Sequence, residues 1–550
     1  MKKDITMKKN SFVNGIFVTT IGIVISKILG ILYVIPFFSI IGESGGALYG
    51  YAYTIYTLFM SLASAGIPLS ISKIVSEYQA LGYYSAKKKV LSIGIRISLL
   101  LGFLCFVVIL LFAPFLAHRI LGDIDGVNTV SDVAFVIRVI GTAILIVPVL
   151  SVYRGYFEGH RFMNPPSISQ VIEQLIRVLV IIIGSFLALR VFHLSLTSAV
   201  GIALFGATVG ALAAYLYLIE KKFKNKQRFD TKIRTVNEPI ITNKVIFQKI
   251  LYYAVPFIMI DIFKSLYGYI DMITVDTGLF HFAGYSGADA ETIYSIISTW
   301  AQKFNMIILS VSTGVIVSLI PNLSESIVLN QKKDTNKKIN QALSILIFLA
   351  IPMTFGISFL ARSIWMLFYG TSVYGPSVLS YYVFSGLMVA LFTATVTILQ
   401  AFKDFKIVFI SLLSGVVLKF LLNTNLLISF HLLSLPAYYG VITASILGYL
   451  LSFIICMVIL RVKYHVLFEA FLHNFFDVLG GAVLMILVLF GVSLIVPVVS
   501  STRVMNLVIV LFYACLGMVV YFLYAHFMHL TERIFGKSFF TTIRKILLKK

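Results

Sequence analysis

The chain is expected to be an all-α integral membrane protein of about fourteen transmembrane helices, and three observations lead to that reading. Hydrophobic residues fill 59% of its 550 positions and charged residues only 12%, whereas a soluble domain is roughly 45–50% apolar and about 25% charged. Mean hydropathy is +0.98. The apolar runs reach about 20 residues or more, the length a helix needs to cross roughly 30 Å of hydrocarbon. The short alternating strands of an outer-membrane barrel are missing from the pattern.

The spans run approximately over 12–41, 47–80, 90–117, 130–157, 166–189, 196–219, 248–278, 291–328, 340–361, 374–401, 407–430, 436–460, 474–498 and 503–529. Lys2, Lys3, Lys8 and Lys9 precede the first, as they would a signal peptide. The apolar stretch continues to about Ile41 and lacks a small-x-small cleavage site, so a transmembrane helix is expected instead. Several spans exceed the membrane thickness, which predicts tilt or protrusion into water.

Net charge is +22. In a soluble protein this would suggest nucleic acid, but cytoplasmic loops of membrane proteins accumulate Lys and Arg. With a cytoplasmic N-terminus, the inner segments hold 31 basic residues and the outer loops hold four, Arg119, Arg190, Arg362 and Arg503. Both termini are therefore expected in the cytoplasm, with no nucleic-acid partner. Cys105, Cys456 and Cys515 fall inside apolar runs without paired spacing and read as small buried side chains.

The longest loop, about Glu220 to Phe247, is polar and basic and separates six spans from eight. A parallel repeat supports a division there. Ser64-Ala65-Gly66, Ser70 and Ser76-Glu77 in the second span recur at the same intervals as Ser312-Thr313-Gly314, Ser318 and Ser324-Glu325 in the eighth. Equivalent spans in the same orientation imply two six-helix lobes related by an axis along the membrane normal. The expected organisation is an N-terminal lobe over 1–220, a basic cytoplasmic linker over 221–247 and a C-terminal lobe over 248–462. Two extra helices follow over 463–529, then a basic cytoplasmic tail over 530–550. That tail mixes apolar and basic residues and suits either an amphipathic surface helix or a simple basic end.

Nine basic residues remain inside or at the ends of spans. Each would cost roughly 2.5–3.5 kcal/mol at a helix centre facing lipid. Lys73, Arg96 and Arg154 lie near span ends, where a long side chain reaches the interface. Lys27, Arg138, Arg177, Lys264, Lys303 and Lys419 lie deeper and are expected to face water or a partner. Glu173 and Arg177 are four apart and share a helix face, as do Lys73 and Glu77. Asp261 and Lys264 can pair across one turn; Asp271 suits a distant Lys, a cation or a proton. These carboxylates, with Glu173, are candidates for ion coupling or for structural pairing. Lys27 and Lys303, with no acidic neighbour one turn away in sequence, suit a diphosphate, which Lys binds as a point charge without a fixed fork geometry. Pro36, Pro68, Pro114, Pro148, Pro256, Pro321 and Pro352 favour kinks, which serve either packing or conformational change.

No enzyme constellation is visible: no Walker A motif for ATP, no His-Glu-x-x-His metal site and no G-x-S-x-G nucleophile. No cofactor is expected.

Several stretches resemble the MurJ/SpoVB/YtgP group of polysaccharide-biosynthesis proteins. They are Tyr53 to Leu58, Ala65-Gly66-Ile67-Pro68 with Ser72-Lys73, and Ser26-Lys27-Ile28-Leu29-Gly30. Arg154-Gly155-Tyr156-Phe157-Glu158-Gly159-His160 continues through Asn164-Pro165 to Ser169-Gln170-Val171-Ile172-Glu173-Gln174 and Arg177. Pro321-Asn322-Leu323-Ser324 completes the set. The resemblance implies a flippase of the multidrug/oligosaccharidyl-lipid/polysaccharide superfamily. Its substrate would be an undecaprenyl-diphosphate-linked saccharide, typically the lipid II peptidoglycan precursor. It also implies a cationic headgroup cavity reached by Lys27 and Lys303, and a groove for the lipid tail beside the two extra helices. Tyr33 and Met60 stand where Gram-negative members carry further arginines, so Arg138, Arg177, Lys264 or Lys419 would have to compensate. A monovalent cation or the membrane potential would reset the cycle. A cation-coupled drug antiporter, a flippase for another polysaccharide precursor and a non-transporting cell-wall scaffold are the rival readings.

Overall fold

A computed structural model describes residues 26, 29, 30, 32–225, 229, 239, 241–329 and 331–535. Among these residues the regular structure is helical, and twelve helical segments are long and apolar enough to cross a membrane. The chain divides into two compact units, Met1–Ile273 and Thr274–Lys550.

The first unit begins with α1, Val34–Ser64, in which the end of the expected first span and the start of the second are joined. Gly42, at φ +66° and ψ −164°, breaks the helix between them. Of the first span before α1, only Ser26, Leu29, Gly30, Leu32 and Tyr33 are described, and Lys27 lies outside the described residues. Gly66, at φ +71°, separates α1 from α2, Ile67–Ala80, whose first turn holds Pro68. The third span is α3, Tyr84–Leu121. In the fourth, α4, Val130–Gly141, opens on a capping box between Thr129 and Asp132. A tight turn over Thr142–Leu145 then leads into α5, Val147–Gly159, with Pro148 in its first turn. The fifth is α6, Asn164–Leu179, extended by π-helical turns Val180–Gly184 and Leu187–Val191. The sixth is α7, Leu196–Lys224.

The seventh span, α8, Asn243–Ala283, gives its first part to this unit, so the compact units meet inside a helix rather than in the basic linker. The reason is packing. A Cβ on Gly66 would lie 2.7 Å from the Ala254 carbonyl oxygen and 2.8 Å from Phe257 Cβ. Ser61 and Ser265 share a 2.9 Å hydrogen bond. Glu77 pairs with Lys249 at 2.6 Å, which corrects the expected Lys73–Glu77 pair. The Lys73 ammonium lies 3.9 Å from the centre of the Tyr253 ring.

The second unit takes the end of α8 and then the expected eighth span. That span comprises α9, Gly287–Ser295, a π-helical turn Ile296–Trp300 and α10, Gln302–Val328. There follow α11, Lys332–Phe359, and a short α12, Ala361–Phe368. Next come α13, Gly375–Ala401, α14, Phe405–Leu432, and α15, Tyr438–Tyr464. The two extra helices are α16, Glu469–Ser493, and α17, Arg503–Phe527, followed by the short α18, Leu530–Phe535. They are fastened to α11 by polar contacts. Asn474 donates to Ser344 at 3.0 Å, and the Tyr521 hydroxyl donates to the Phe348 carbonyl at 2.9 Å. Asn340 donates to the Leu467 carbonyl at 2.6 Å and accepts from the Phe471 amide at 3.1 Å. Such bonds hold helices together where the hydrophobic effect between them is absent.

Candidate functional site

The polar stripe of α6 is the starting point. Ser169, Glu173 and Arg177 recur every four residues and so share one helix face. Helix α5 precedes α6 across a short turn at 160–163, and residues equally distant from that turn come opposite each other. Arg154 thereby meets Ser169. Its Nε donates to the Ser169 hydroxyl at 2.9 Å, and its Nη2 contacts Glu173 Oε2 at 2.8 Å. Arg177 Nη2 contacts the other carboxylate oxygen, Oε1, at 3.2 Å. One carboxylate is therefore divided between two guanidiniums. The three side chains are 14–15% exposed.

Close backbone approach makes this arrangement specific to the residues present. A Cβ on Gly155 would lie 2.3 Å from the Pro68 carbonyl oxygen, and one on Gly210 of α7 would lie 2.5 Å from that of Glu173. Small residues of this kind let helix backbones touch. The stretch from Arg154 to Arg177 is thus a joint at which α2, α5, α6 and α7 meet.

Tyrosines from α1 complete the surroundings. Tyr49 and Tyr53 stack at 5.7 Å, and Tyr53 contacts Tyr56 at the same separation. The Tyr56 hydroxyl interacts with Arg177, and the charge of Arg177 also reaches Tyr33. Tyr33 itself contacts Phe37 at 6.0 Å. Arg177 Nε is buried and has no hydrogen-bond partner among the described residues, which leaves a cationic donor able to take an anionic oxygen. Glu158, one turn along α5, adds a second carboxylate to the field of Arg154.

The remaining expected residues are distributed more widely. Gly30, three positions after Lys27 in sequence, places a would-be Cβ 3.5 Å from Gln174 Nε2. Arg138 is exposed and donates through Nε to the Leu110 carbonyl at 3.3 Å, apart from the Arg177 cluster. Asp261 and Lys264 are half-buried on α8 and their charges interact. Asp271 is half-buried further along the same helix. In the second unit, Lys303 is half-buried just after the π-helical turn Ile296–Trp300. Such turns are frequent at functional sites, and Arg177 also borders one, here preceding the turn at Val180 instead of following it. Lys419 is completely buried and donates to the Ser445 hydroxyl of α15, so in this structure it presents no surface to a headgroup.

The structure brings Glu173 and Arg177 together as their spacing predicts. It adds Arg154, expected at the interface, as a third member. The signal for Arg154 was its distance from the α5–α6 turn, which matches that of Ser169.

The fold is that of the transporters of the MOP superfamily. Over 93% of this chain and 99% of the other, it matches the solved inward closed conformation of a lipid II flippase MurJ, with a TM-score of 0.64 and 17% identity. It also matches an inward-facing multidrug resistance MATE family transporter of that superfamily, with a TM-score of 0.62, 13% identity and coverage of 81% and 98%. At the sequence level, residues 12–327 match the model of the family described as polysaccharide biosynthesis protein. The lipid II flippase MurJ of Bacillus subtilis (strain 168) is 34% identical over 461 residues, 82% of this chain and 83% of that protein. Stage V sporulation protein B of the same organism is 26% identical over 332 residues, 60% of each. The chain belongs to the polysaccharide biosynthesis protein family.

Proposed function

We propose that this protein is a flippase that moves an undecaprenyl-diphosphate-linked saccharide, with lipid II foremost, across the bacterial cytoplasmic membrane by alternating access. The observation that carries the reading is the 34% identity to a lipid II flippase over 82% of the chain. The chemistry of the first unit supports it. Arg177 keeps an unused, buried donor beside a carboxylate already shared with Arg154, which suits a diphosphate better than a cationic ligand. Lys27 and Arg177 in the first unit and Lys303 in the second are the proposed headgroup contacts. Arg138 and Lys264 are secondary candidates, Lys419 being enclosed against Ser445, and Asp261 and Asp271 are candidates for coupling to a monovalent cation. Both termini would lie in the cytoplasm, and neither ATP nor a catalytic step is required. A cation-coupled drug antiporter fits less well, because Glu173, the carboxylate of this cluster, is neutralised from two sides.

Two experiments test the proposal. Expression during depletion of a host's own lipid II flippase should restore growth, and purified protein in vesicles should translocate lipid II. Arg177→Ala, and Lys27→Ala combined with Lys303→Ala, should each abolish translocation while the protein remains folded. Undiminished flipping by these variants would remove the headgroup assignment; failure of the unaltered protein in both assays would remove the function.

A further inference from the structure

A cavity of about 610 Å³ opens in the second unit where the first turns of α11 and α16 meet α18. Its volume lies within the roughly 300–1,000 Å³ of small-molecule sites. All three helix ends lie at one side of the unit, because α11 and α16 start there and α17 ends there, immediately before α18. The apolar part of each span begins just beyond, so the cavity stands at the level of lipid headgroups.

Its lining carries both signs of charge. Lys337 and Glu469 are exposed on the rim. Neither makes a hydrogen bond or ion pair among the described residues, and they do not pair with each other. Arg533 lines the cavity as well and shares its guanidinium with Asp477. Deeper in, Asn474 and Asn340 are more than nine-tenths buried and hold the walls through their bonds to Ser344 and Leu467. Exposed Leu467 gives the rim an apolar edge. The charge of Lys337 is felt by Asp334 on its own helix, but Lys337 forms no ion pair among the described residues, and a cation and a carboxylate that line one opening without pairing with each other match a dipolar ligand rather than a simple anion.

We infer that this cavity binds a phosphatidylethanolamine-type lipid, its phosphate at Lys337 and Arg533, its ammonium at Glu469, and its acyl chains leaving past Leu467. The site is separate from the Arg154–Glu173–Arg177 cluster and does not depend on what the protein transports.

The test is native mass spectrometry of the full-length protein with phosphatidylethanolamine or phosphatidylglycerol, and with soluble glycerophosphoethanolamine as competitor. Retention of the ethanolamine lipid should exceed that of the glycerol lipid by about tenfold, the effect of one charge-assisted contact. Glu469→Gln should remove that preference while leaving phosphatidylglycerol retention unchanged. Lys337→Ala should weaken both lipids about tenfold by loss of a phosphate contact. Both residues are exposed and make no internal bond, so neither change should impair folding. Equal retention of the two lipids, or insensitivity to both substitutions, would overturn the assignment. Competition by the soluble headgroup at the lipid's own concentration would overturn the lipid as its source.

Discussion

Arg154 and Glu173 lie on successive helices and meet at 2.8 Å across the α5–α6 turn, and that contact turns an ordinary i,i+4 pair into a three-membered cluster. The second oxygen of Glu173 holds Arg177. Removing the carboxylate would strand two largely buried cations.

The cluster should therefore respond unequally to its members. Glu173→Ala should lower stability by about 3–5 kcal/mol, the range for breaking a buried pair by deleting one partner. Arg177→Ala should cost less, since Arg154 still neutralises Glu173. Thermal unfolding in detergent of the single and double variants measures the difference. Equal losses would mean that Glu173 is not the shared element.

Gly155 should tolerate no side chain. A Cβ there would lie 2.3 Å from the Pro68 carbonyl oxygen, and backbone cannot rotate aside as a side chain can. Gly155→Ala should destabilise by about 1–3 kcal/mol or more through overpacking. Gly491 of α16 has nothing within 4 Å of its would-be Cβ, so Gly491→Ala should be neutral or slightly stabilising. The pair of melting temperatures checks this.

Glu77 should couple to Lys249 and not to Lys73. The Glu77–Lys249 contact is partly exposed, at 39% and 24% for the two side chains, so a double-mutant cycle should give about 0.2–1 kcal/mol. The cycle between Glu77 and Lys73 should be additive. Coupling in the second cycle alone would restore the pairing suggested by spacing.

His160 should make the protein sensitive to acid. It sits in the turn between α5 and α6, and its pKa falls from 6.5 to about 4. Burial is the main cause; the nearby charge of Lys87 adds to it, and the hydrogen bond to the Tyr156 carbonyl opposes it. The unfolded chain binds the proton more readily, so the stabilisation is complete above about pH 6.5 and declines as pH falls toward 4. Melting temperature should drop between those values, and His160→Gln should flatten that part of the profile.

The spans, their order and the Glu173–Arg177 pair were legible in the residues because each depends on short-range rules. A bilayer demands a fixed run of apolar residues, and a helix brings positions four apart onto one face. The break between the first two spans was legible too, since Gly42 falls where the apolar runs part. Arg154 is not legible as a member of the cluster, because its partner belongs to another helix. The same is true of Lys249 for Glu77, and of Ser445 for Lys419.

The repeat shows the division most clearly. Ser64-Ala65-Gly66 and Ser312-Thr313-Gly314 are equivalent as sequence, yet Gly66 turns the chain at φ +71° while α10 runs unbroken through Gly314. Gly66 is backed by Ala254 and Phe257, whereas among the described residues nothing lies within 4 Å of a Cβ on Gly314. Pro68 follows Gly66 by two positions; the next proline after Gly314 is Pro321. Apolar run length and charge placement alone specify a helical, many-span membrane protein with cations set deep in its spans. Tertiary structure decided which cation meets which carboxylate and which glycine bends, because those outcomes depend on neighbours distant along the chain.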